Sequence, residues 1–351
     1  MAKVEGNVIE IDGEIIPPGK RRIIELPIPN FYSAQSSLNM TVHVVNGVRP
    51  GPKLFVSAAL HGDEINGVAI IRRLLKHSAL KRLRGTLIAI PIVNVFGIIQ
   101  HSRYLPDRRD LNRAFPGSPT GSLAARVAHI FHKEIVEKST HGIDFHTAAN
   151  HRDNLPQIRA NLENPETRRL AEAFGVPVIL NSQIRDGSLR GAASDVGMPM
   201  LLYEAGEALR FDELSIRAGV RGTLSVMREL DMLPRSRKTR RIEPFVANSS
   251  AWVRAPASGV MHNAARLGSR VKKDQTIGVI TDPSNMFDET GVNVTVPYSG
   301  LVIGRTNLPL VNEGDALFHI ARFEDSIEVA SQVEVFQAED AGLDVLDPPK
   351  I

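Results

Sequence analysis

His61 and Glu64, three positions apart, are the residues of this chain most suited to chemistry. They lie in the run Ser57-Ala58-Ala59-Leu60-His61-Gly62-Asp63-Glu64-Ile65-Asn66-Gly67, between an apolar strand-like stretch and a helix-like one. A third side chain of the same class, His146, follows Asp144-Phe145 well downstream. Imidazole nitrogen and carboxylate oxygen are zinc ligands, and a catalytic zinc takes three protein ligands so that a fourth position stays open for water. The set points to metal-assisted hydrolysis. His61 alone reads equally as a capping or hydrogen-bonded histidine; Glu64 at i+3 and the strand-end His146 carry the metal reading. Asp63 reads as a loop or capping residue, because adjacent side chains diverge. Asp144 either caps a turn or accepts the remaining N–H of His146, as carboxylates beside ligand histidines commonly do.

These residues need a scaffold that brings distant segments together. Residues 19–29 and 40–46 read as strands, and Gly51-Pro52 introduces Lys53-Leu54-Phe55-Val56-Ser57-Ala58-Ala59-Leu60, with the length and apolar density of a buried strand. Helix spacing of Val68, Ile70, Ile71, Leu74 and Leu75 follows. The pattern then predicts strands at 85–93, 142–145, 176–180 and 198–203, and helices at 123–135, 165–174 and 209–230. Pro165 suits the first turn of its helix. Strand and helix in alternation imply an α/β sheet covered on both faces, with ligands gathering beyond the carboxyl ends of strands. His61, His146 and Glu204 each stand at or just after a predicted strand end. They point to one crevice. After residue 246 the grammar changes to short strands and turns, an expected small all-β domain over residues 247–325. The division is therefore a catalytic domain over 1–235, a basic linker over 236–246, the β domain, and an acidic tail over 326–351.

Composition narrows the classes. With 351 residues and roughly 150 per domain, about two domains are expected. A 42% hydrophobic content can form a substantial core. There is no cysteine, which removes disulfides, cysteine zinc sites and thiol nucleophiles. A net charge of +3 gives little reason to expect nucleic acid. The one dense basic run, Arg235, Arg237, Lys238, Arg240 and Arg241, lacks neighbouring aromatics and reads as a solvated linker. The N-terminal residues lack a secretory pattern and no apolar run approaches the roughly 20 residues of a membrane helix, so a cytoplasmic protein is expected. Neither a phosphate-binding Gly-Lys loop nor a Gly-x-Ser-x-Gly elbow occurs. The small β domain faintly resembles lipoyl or biotinyl carriers, but no Lys stands at a clear tip between its halves.

Several ordered motifs over residues 40–320 resemble the succinylglutamate desuccinylase/aspartoacylase group, zinc amide hydrolases related to metallocarboxypeptidases. His61-Gly62-Asp63-Glu64 with Asn66-Gly67 resembles the first metal motif, and Asp144-Phe145-His146-Thr147 the segment of the second histidine. Asp110-Leu111-Asn112-Arg113-Ala114-Phe115-Pro116-Gly117 resembles the substrate-binding motif, and Glu204-Ala205-Gly206 the segment of the catalytic glutamate. Arg103-Tyr104 resembles the carbonyl-polarising arginine segment, with a longer gap to Asn112 than aspartoacylase-like members have. The resemblance implies a metallocarboxypeptidase-like mixed sheet flanked by helices, with a β-rich C-terminal domain shaping access to the pocket. It implies Zn2+ on His61, Glu64 and His146, catalysis by Glu204 and Arg103, and a substrate carboxylate on Asn112 and Arg113.

The expected function is hydrolysis of a small N-acyl amino acid or related amide, with no nucleic-acid or membrane partner and homo-oligomerisation left open. Glu207, three residues after Glu204, is a weaker competitor as base. His101, His141 and His151 read as loop or packing residues, with His151 alone near enough to His146 for suspicion. Two other classes remain: a carboxypeptidase acting on peptides or cell-wall fragments, which needs a longer open groove, and a non-catalytic metabolite-binding module. The acyl group is open. Arg152, Arg159, Arg185 and Arg190 suit extra carboxylates or are ordinary surface, whereas a diamino acid would prefer nearby acids.

Overall fold

The computed structural model describes residues 7–29, 38–235, 244–262, 264–285, 291–323 and 333–337. A hairpin of β1 (Ile9–Ile11) and β2 (Glu14–Ile16) precedes the antiparallel pair β3 (Arg21–Pro27) and β4 (Asn39–Asn46). The alternating part follows: β5 (Arg49–Ala58), α1 (Asn66–Lys76), β6 (Arg84–Ile90), α2 (Val95–Ile99), α3 (Leu123–Phe131), β7 (His141–Ala148) and β8 (Arg152–Ala160). It continues through α4 (Pro165–Phe174), β9 (Val178–Asn181), α5 (Leu189–Asp195), β10 (Met200–Glu207) and α6 (Glu213–Glu229). Short strands complete the chain: β11 (Phe245–Ala247), β12 (Ser249–Arg254), β13 (Gly259–His262), β14 (Arg270–Val271) and β15 (Thr276–Thr281). The last are β16 (Val292–Thr295), β17 (Gly300–Thr306), β18 (Leu310–Val311) and β19 (Ala316–Arg322).

At the centre, β6, β5, β7 and β10 run parallel side by side. β4 and β3 extend one edge antiparallel, and β8 lies antiparallel on the other side of β10. The sheet is thus mixed, flanked by helices and followed by a smaller β-rich region, as the sequence predicts. Along β5, Leu54, Val56 and Ala58 pack with Ile70 of α1, Leu170 of α4 and Ile216 of α6. Phe55 points the other way, into a second core with Val127 of α3 and Ile9 of β1. This reversal at every residue is the pleat of a strand covered on both faces. It explains why β5 reads as a continuous apolar run.

The β-rich region is joined to the central sheet by hydrogen bonds. β17 pairs antiparallel with β8, and β19 and β12 follow in order, within a sheet of 13 strands among the described residues. β16, β15, β13 and β18 form a separate four-stranded sheet over a core that includes Val253, Ile280, Val294 and Phe318. Residues 236–243 of the basic linker, and 326–332 and 338–351 of the tail, lie outside the described residues. Among the described residues, no helix is long and apolar enough to cross a membrane.

β8 is an element the sequence reading omits. Pro156 cannot donate to a ladder, and within sheets proline is confined to edges and irregularities. It is tolerated because β8 changes neighbours around it: β17 pairs with residues up to Asn154, and β9 takes over from Gln157. The β10 pairing is irregular at the same level, between Glu204 and Gly206.

Candidate metal centre

The turn after β5 presents the first two candidate ligands. Ala59 takes a φ of 49°, reversing the chain just beyond the strand, and the Glu64 N–H donates to the His61 carbonyl at 3.1 Å. Gly62 sits against backbone: a Cβ there would lie 2.0 Å from the carbonyl carbon of Gly97. Asn66 anchors the start of α1. Its Oδ1 accepts from the Asp212 N–H at 2.9 Å, and its Nδ2 donates to the Ala205 carbonyl at 3.2 Å. The turn is thereby fastened to the end of β10.

Register places the other residues. β7 and β10 pair with His146 opposite Glu204 and Asp144 opposite Leu202. The intervening Phe145 and Tyr203 point into the helix-covered core, where Tyr203 stacks on Phe174 with centroids 5.1 Å apart. Asp144, His146, Leu202 and Glu204 therefore share the opposite face and line a cavity of about 560 Å³.

His61 Nδ1 lies 2.7 Å from Glu64 Oε1, and His146 Nδ1 lies 2.6 Å from Glu64 Oε2. All three residues are buried, with their ligand atoms within 4.8 Å of one another. The far nitrogens are occupied as well. His61 Nε2 lies 3.1 Å from Asp110 Oδ1, and His146 Nε2 lies 2.7 Å from Asp144 Oδ2, whose other oxygen accepts from Ser57 Oγ at 2.7 Å. With a carboxylate facing Nε2 of each ring to accept its proton, each Nδ1 can face a cation, and His61 Nδ1 also lies 3.1 Å from Arg103 Nη1. Burial disfavours charge on the histidines, yet Glu64 with Asp110 or Asp144 outweighs it and raises both. Burial likewise pushes Glu64 up, but His61 and His146 hold it well below the ordinary carboxylate range. The donor set fits a divalent metal: two imidazole nitrogens, one carboxylate, and surroundings that favour positive charge.

Arg103 completes the edge of this cluster. Its Nε and Nη2 donate to Asp110 Oδ2 at 3.3 and 2.9 Å, and its Nη1 donates to Glu64 Oε1 at 3.1 Å. Asp110 also caps the following turn, accepting from the Asn112 N–H at 2.8 Å. Burial pushes its carboxyl up, but His61 and Arg103 hold it well below the usual range. Asp63 is no part of the ligand cluster. Burial and then Glu64 push its carboxyl up, and its Oδ1 has no hydrogen bond among the described residues.

Glu204 lines the cavity with one oxygen held by Asn154, whose Nδ2 donates to Oε2 at 2.8 Å. Arg159 Nη1 stands 3.6 Å from the other oxygen. Asn112 and Arg113 also line the cavity; Asn112 Oδ1 accepts from the Leu189 N–H at 2.9 Å, and Arg113 is exposed. All seven sequence-predicted site residues thus border one cavity. Glu207 does not: its oxygens accept from the His151 N–H and from Asn307 Nδ2, each at 3.0 Å. His101, His141 and His151 are also absent from the lining.

Sequence reasoning missed Asn154, Ser57, Trp252 and His319, and did not connect Asp110 with His61. Asn154 and the β-rich residues carry no motif. Asp110 alone had a signal, its place in the Asp-Leu-Asn-Arg run. Arg152, Arg159, Arg185 and Arg190, open to either interpretation in the sequence, all border the cavity.

Residues 50–230 match the family described as the succinylglutamate desuccinylase/aspartoacylase catalytic domain. The chain is 25% identical over 333 residues to an N-alpha-acetyl-L-2,4-diaminobutyric acid deacetylase of Halomonas elongata, covering 87% of this chain and 92% of that protein. Its fold matches a succinylglutamate desuccinylase/aspartoacylase from Rhodobacter sphaeroides with a TM-score of 0.76 at 24% identity, covering 90% of this chain and 98% of the other. A product-bound ectoine utilization protein EutE (DoeB) from Ruegeria pomeroyi matches with a TM-score of 0.78 at 22% identity, over 91% and 99% of the two chains.

Proposed function

Since the chain belongs to the succinylglutamate desuccinylase/aspartoacylase family, we propose that it is a zinc-dependent deacylase of a small N-acyl amino acid. The observation that carries this reading is the convergence of His61 Nδ1, His146 Nδ1 and Glu64 beside Glu204 at one cavity. Zinc held by those three side chains supplies a Lewis acid for the amide carbonyl and makes water nucleophilic near neutral pH.

The chain's own residues do the rest. Glu204 takes a proton from the attacking water as the new C–O bond forms, and returns it to the nitrogen as the C–N bond breaks. The products are a carboxylic acid and an amine, and the acid's remaining proton passes to the amine to leave a carboxylate and an ammonium group. Asn154 donates to Oε2 and so fixes the glutamate's orientation. Arg103, clamped by Asp110, holds Nη1 at the candidate metal cluster through Glu64 Oε1, and its positive charge there would stabilise the oxygen that gains negative charge. Asn112 and Arg113 hold the substrate carboxylate, with the planar guanidinium supplying a two-donor fork.

The cavity shape supports a small substrate over a peptide. Ser249, Ser250, Trp252 and His319 from the β-rich region wall one side, where a carboxypeptidase acting on long chains would need an open groove. Metal analysis combined with a broad N-acyl amino-acid panel tests the reading. Stoichiometric zinc with release of free amine from a panel member is expected. A folded, zinc-loaded protein inactive on the whole panel removes it.

A further inference from the structure

β3 ends the large sheet, and no described strand pairs with its outer edge. Hydrogen bonds at its two ends show which main-chain groups face that edge. Just before the strand, the Asn46 N–H donates to the Lys20 carbonyl at 2.9 Å, and just after it the Ile28 N–H donates to the Leu38 carbonyl at 3.2 Å. The direction of these groups reverses at every residue, so the even-numbered residues of β3 turn theirs toward β4. Arg21, Ile23 and Glu25 turn theirs outward. On that open side the Arg21 carbonyl accepts only from the exposed side chain of Arg22, at 3.0 Å from Nη1. The open stretch is bounded, because Pro27 has no N–H and the Gly19 N–H is given to the Asn46 carbonyl at 2.9 Å.

The same three residues expose their side chains, while Ile24 and Leu26 are buried in the core. Ile23 is 62% exposed, an apolar side chain at the middle of an open strand edge. Charges on an edge usually keep other strands away. Here Arg21 and Glu25 stand two residues to either side of Ile23, and the pattern is complementary to itself. An antiparallel copy turned about a two-fold axis at Ile23 sets Ile23 against Ile23 and Arg21 against Glu25 at both ends. All three opposed pairs have outward N–H and C=O groups, so each exchanges two hydrogen bonds, about six in all. Neighbouring registers fail: centred on Ile24, Arg21 meets Pro27 and Glu25 meets Ile23; centred on Arg22, Glu25 meets Gly19. Glu25 accepts from Thr41 Oγ1 on β4 at 3.0 Å, which holds the carboxylate over the strand.

We propose that the outer edge of β3 is a homodimer seam, where two copies of this chain pair antiparallel through Arg21, Ile23 and Glu25 and continue one sheet across both. So short an edge buries little surface by itself, and the dimer is a weak, concentration-dependent one. The seam is independent of the proposed reaction: β4, β6 and β5 separate β3 from β7, which carries His146.

Sedimentation equilibrium of the full chain over a concentration series should show monomer and dimer in exchange. Arg21→Glu and Glu25→Arg each set like charges opposite one another at both ends of the seam. Each alone should raise the dimer dissociation constant about ten-fold or more. Mixed together, the two variants face each other with opposite charges at both ends, and dimers with one copy of each should form again. General loss of stability cannot produce that recovery. The chain has no cysteine, so Ile23→Cys gives a second readout that stands even where a charge variant fails to fold. Opposed residues of a hydrogen-bonded pair have Cα atoms about 5.5 Å apart, within reach of a disulfide. Mild oxidation should therefore link Ile23→Cys into dimers much faster than Val196→Cys, whose position after α5 is 51% exposed. A monomer at every concentration overturns the seam, as do dimers undiminished in either charge variant, no recovery on mixing, or equal cross-linking of the two cysteine variants.

Discussion

Asp144→Asn isolates the hydrogen bond behind one proposed metal ligand, His146. Asp144 is 0% exposed, and its two oxygens are each engaged at 2.7 Å, by His146 Nε2 and by Ser57 Oγ. His146 offers Nδ1 to a metal only when the ring proton sits on Nε2, and a carboxylate facing Nε2 enforces that tautomer. Asparagine preserves the shape but not this choice. With its NH2 facing Nε2, the ring proton moves to Nδ1 and blocks the donor atom. With the amide flipped, an acceptor is restored without its charge, and the NH2 turns on Ser57. A hydrogen bond to a charged group is worth about 1.5–3 kcal/mol. Loss of an outer partner of a ligand histidine typically weakens metal binding about 10- to 100-fold, or about 1.4–2.7 kcal/mol. Competition for zinc against a chromophoric chelator at neutral pH should therefore show a drop within that range, with the fold retained. Ser57→Ala removes a neutral donor two steps from the metal and should have a smaller effect. Unchanged zinc affinity in folded Asp144→Asn would refute ligation of His146 through Nδ1 in the tautomer set by Asp144.

Glu204→Gln should keep zinc while lowering turnover about 10²- to 10⁴-fold, because shape survives and proton acceptance does not; near-normal kcat would transfer the base role elsewhere. Arg113→Lys should lower kcat/KM about 10- to 150-fold on a substrate with a free α-carboxylate, and much less on the matched carboxamide. Equal losses would make Arg113 an organiser of the pocket. Asp153 is pushed up to about 6 by burial and Asp212, with Glu207 adding to the rise and Arg305 opposing it. Its folded pKa lies above its unfolded one, so ionising it destabilises the fold, fully above about pH 6 and not at all below about pH 4. Asp153→Asn should then raise Tm at pH 8 and leave it unchanged at pH 4; an equal shift at both would assign the effect to something other than titration.

What was legible in the sequence divides along a physical line. The apolar run of β5 and the helical spacing of α1 are local patterns, and the ligand turn lies between them. Asn164 before Pro165 is equally local: its Oδ1 caps α4 by accepting from the Glu166 and Thr167 N–H groups at 2.9 and 3.1 Å. The partners behind the ligands were harder to read. Asp144 lies two residues from His146 and reads as its acceptor or as a turn cap, but Asp110 reaches His61 from 49 positions away through a capped turn. No periodicity encodes such a contact. β8 carries no legible strand signal, because Pro156 interrupts it and the proline is accommodated only by the exchange of neighbours around it.

That hidden strand links parts that the sequence presents separately. One side of β8 pairs with β10 and brings Asn154 to Glu204; its other side pairs with β17, placing Gly304 opposite Asn154. A Cβ at Gly304 would lie 2.8 Å from Asn154 Oδ1, so the β-rich region leaves room for the amide that orients the proposed base. Three residues beyond Pro156, the same strand carries Arg159, which lines the cavity with Nη1 3.6 Å from Glu204. Strand pairing across the two regions therefore joins the β-rich wall of the cavity to the strand whose Asn154 holds Glu204. The β-rich region supplies the wall through Trp252 and His319, and the backing for the strand that holds Glu204.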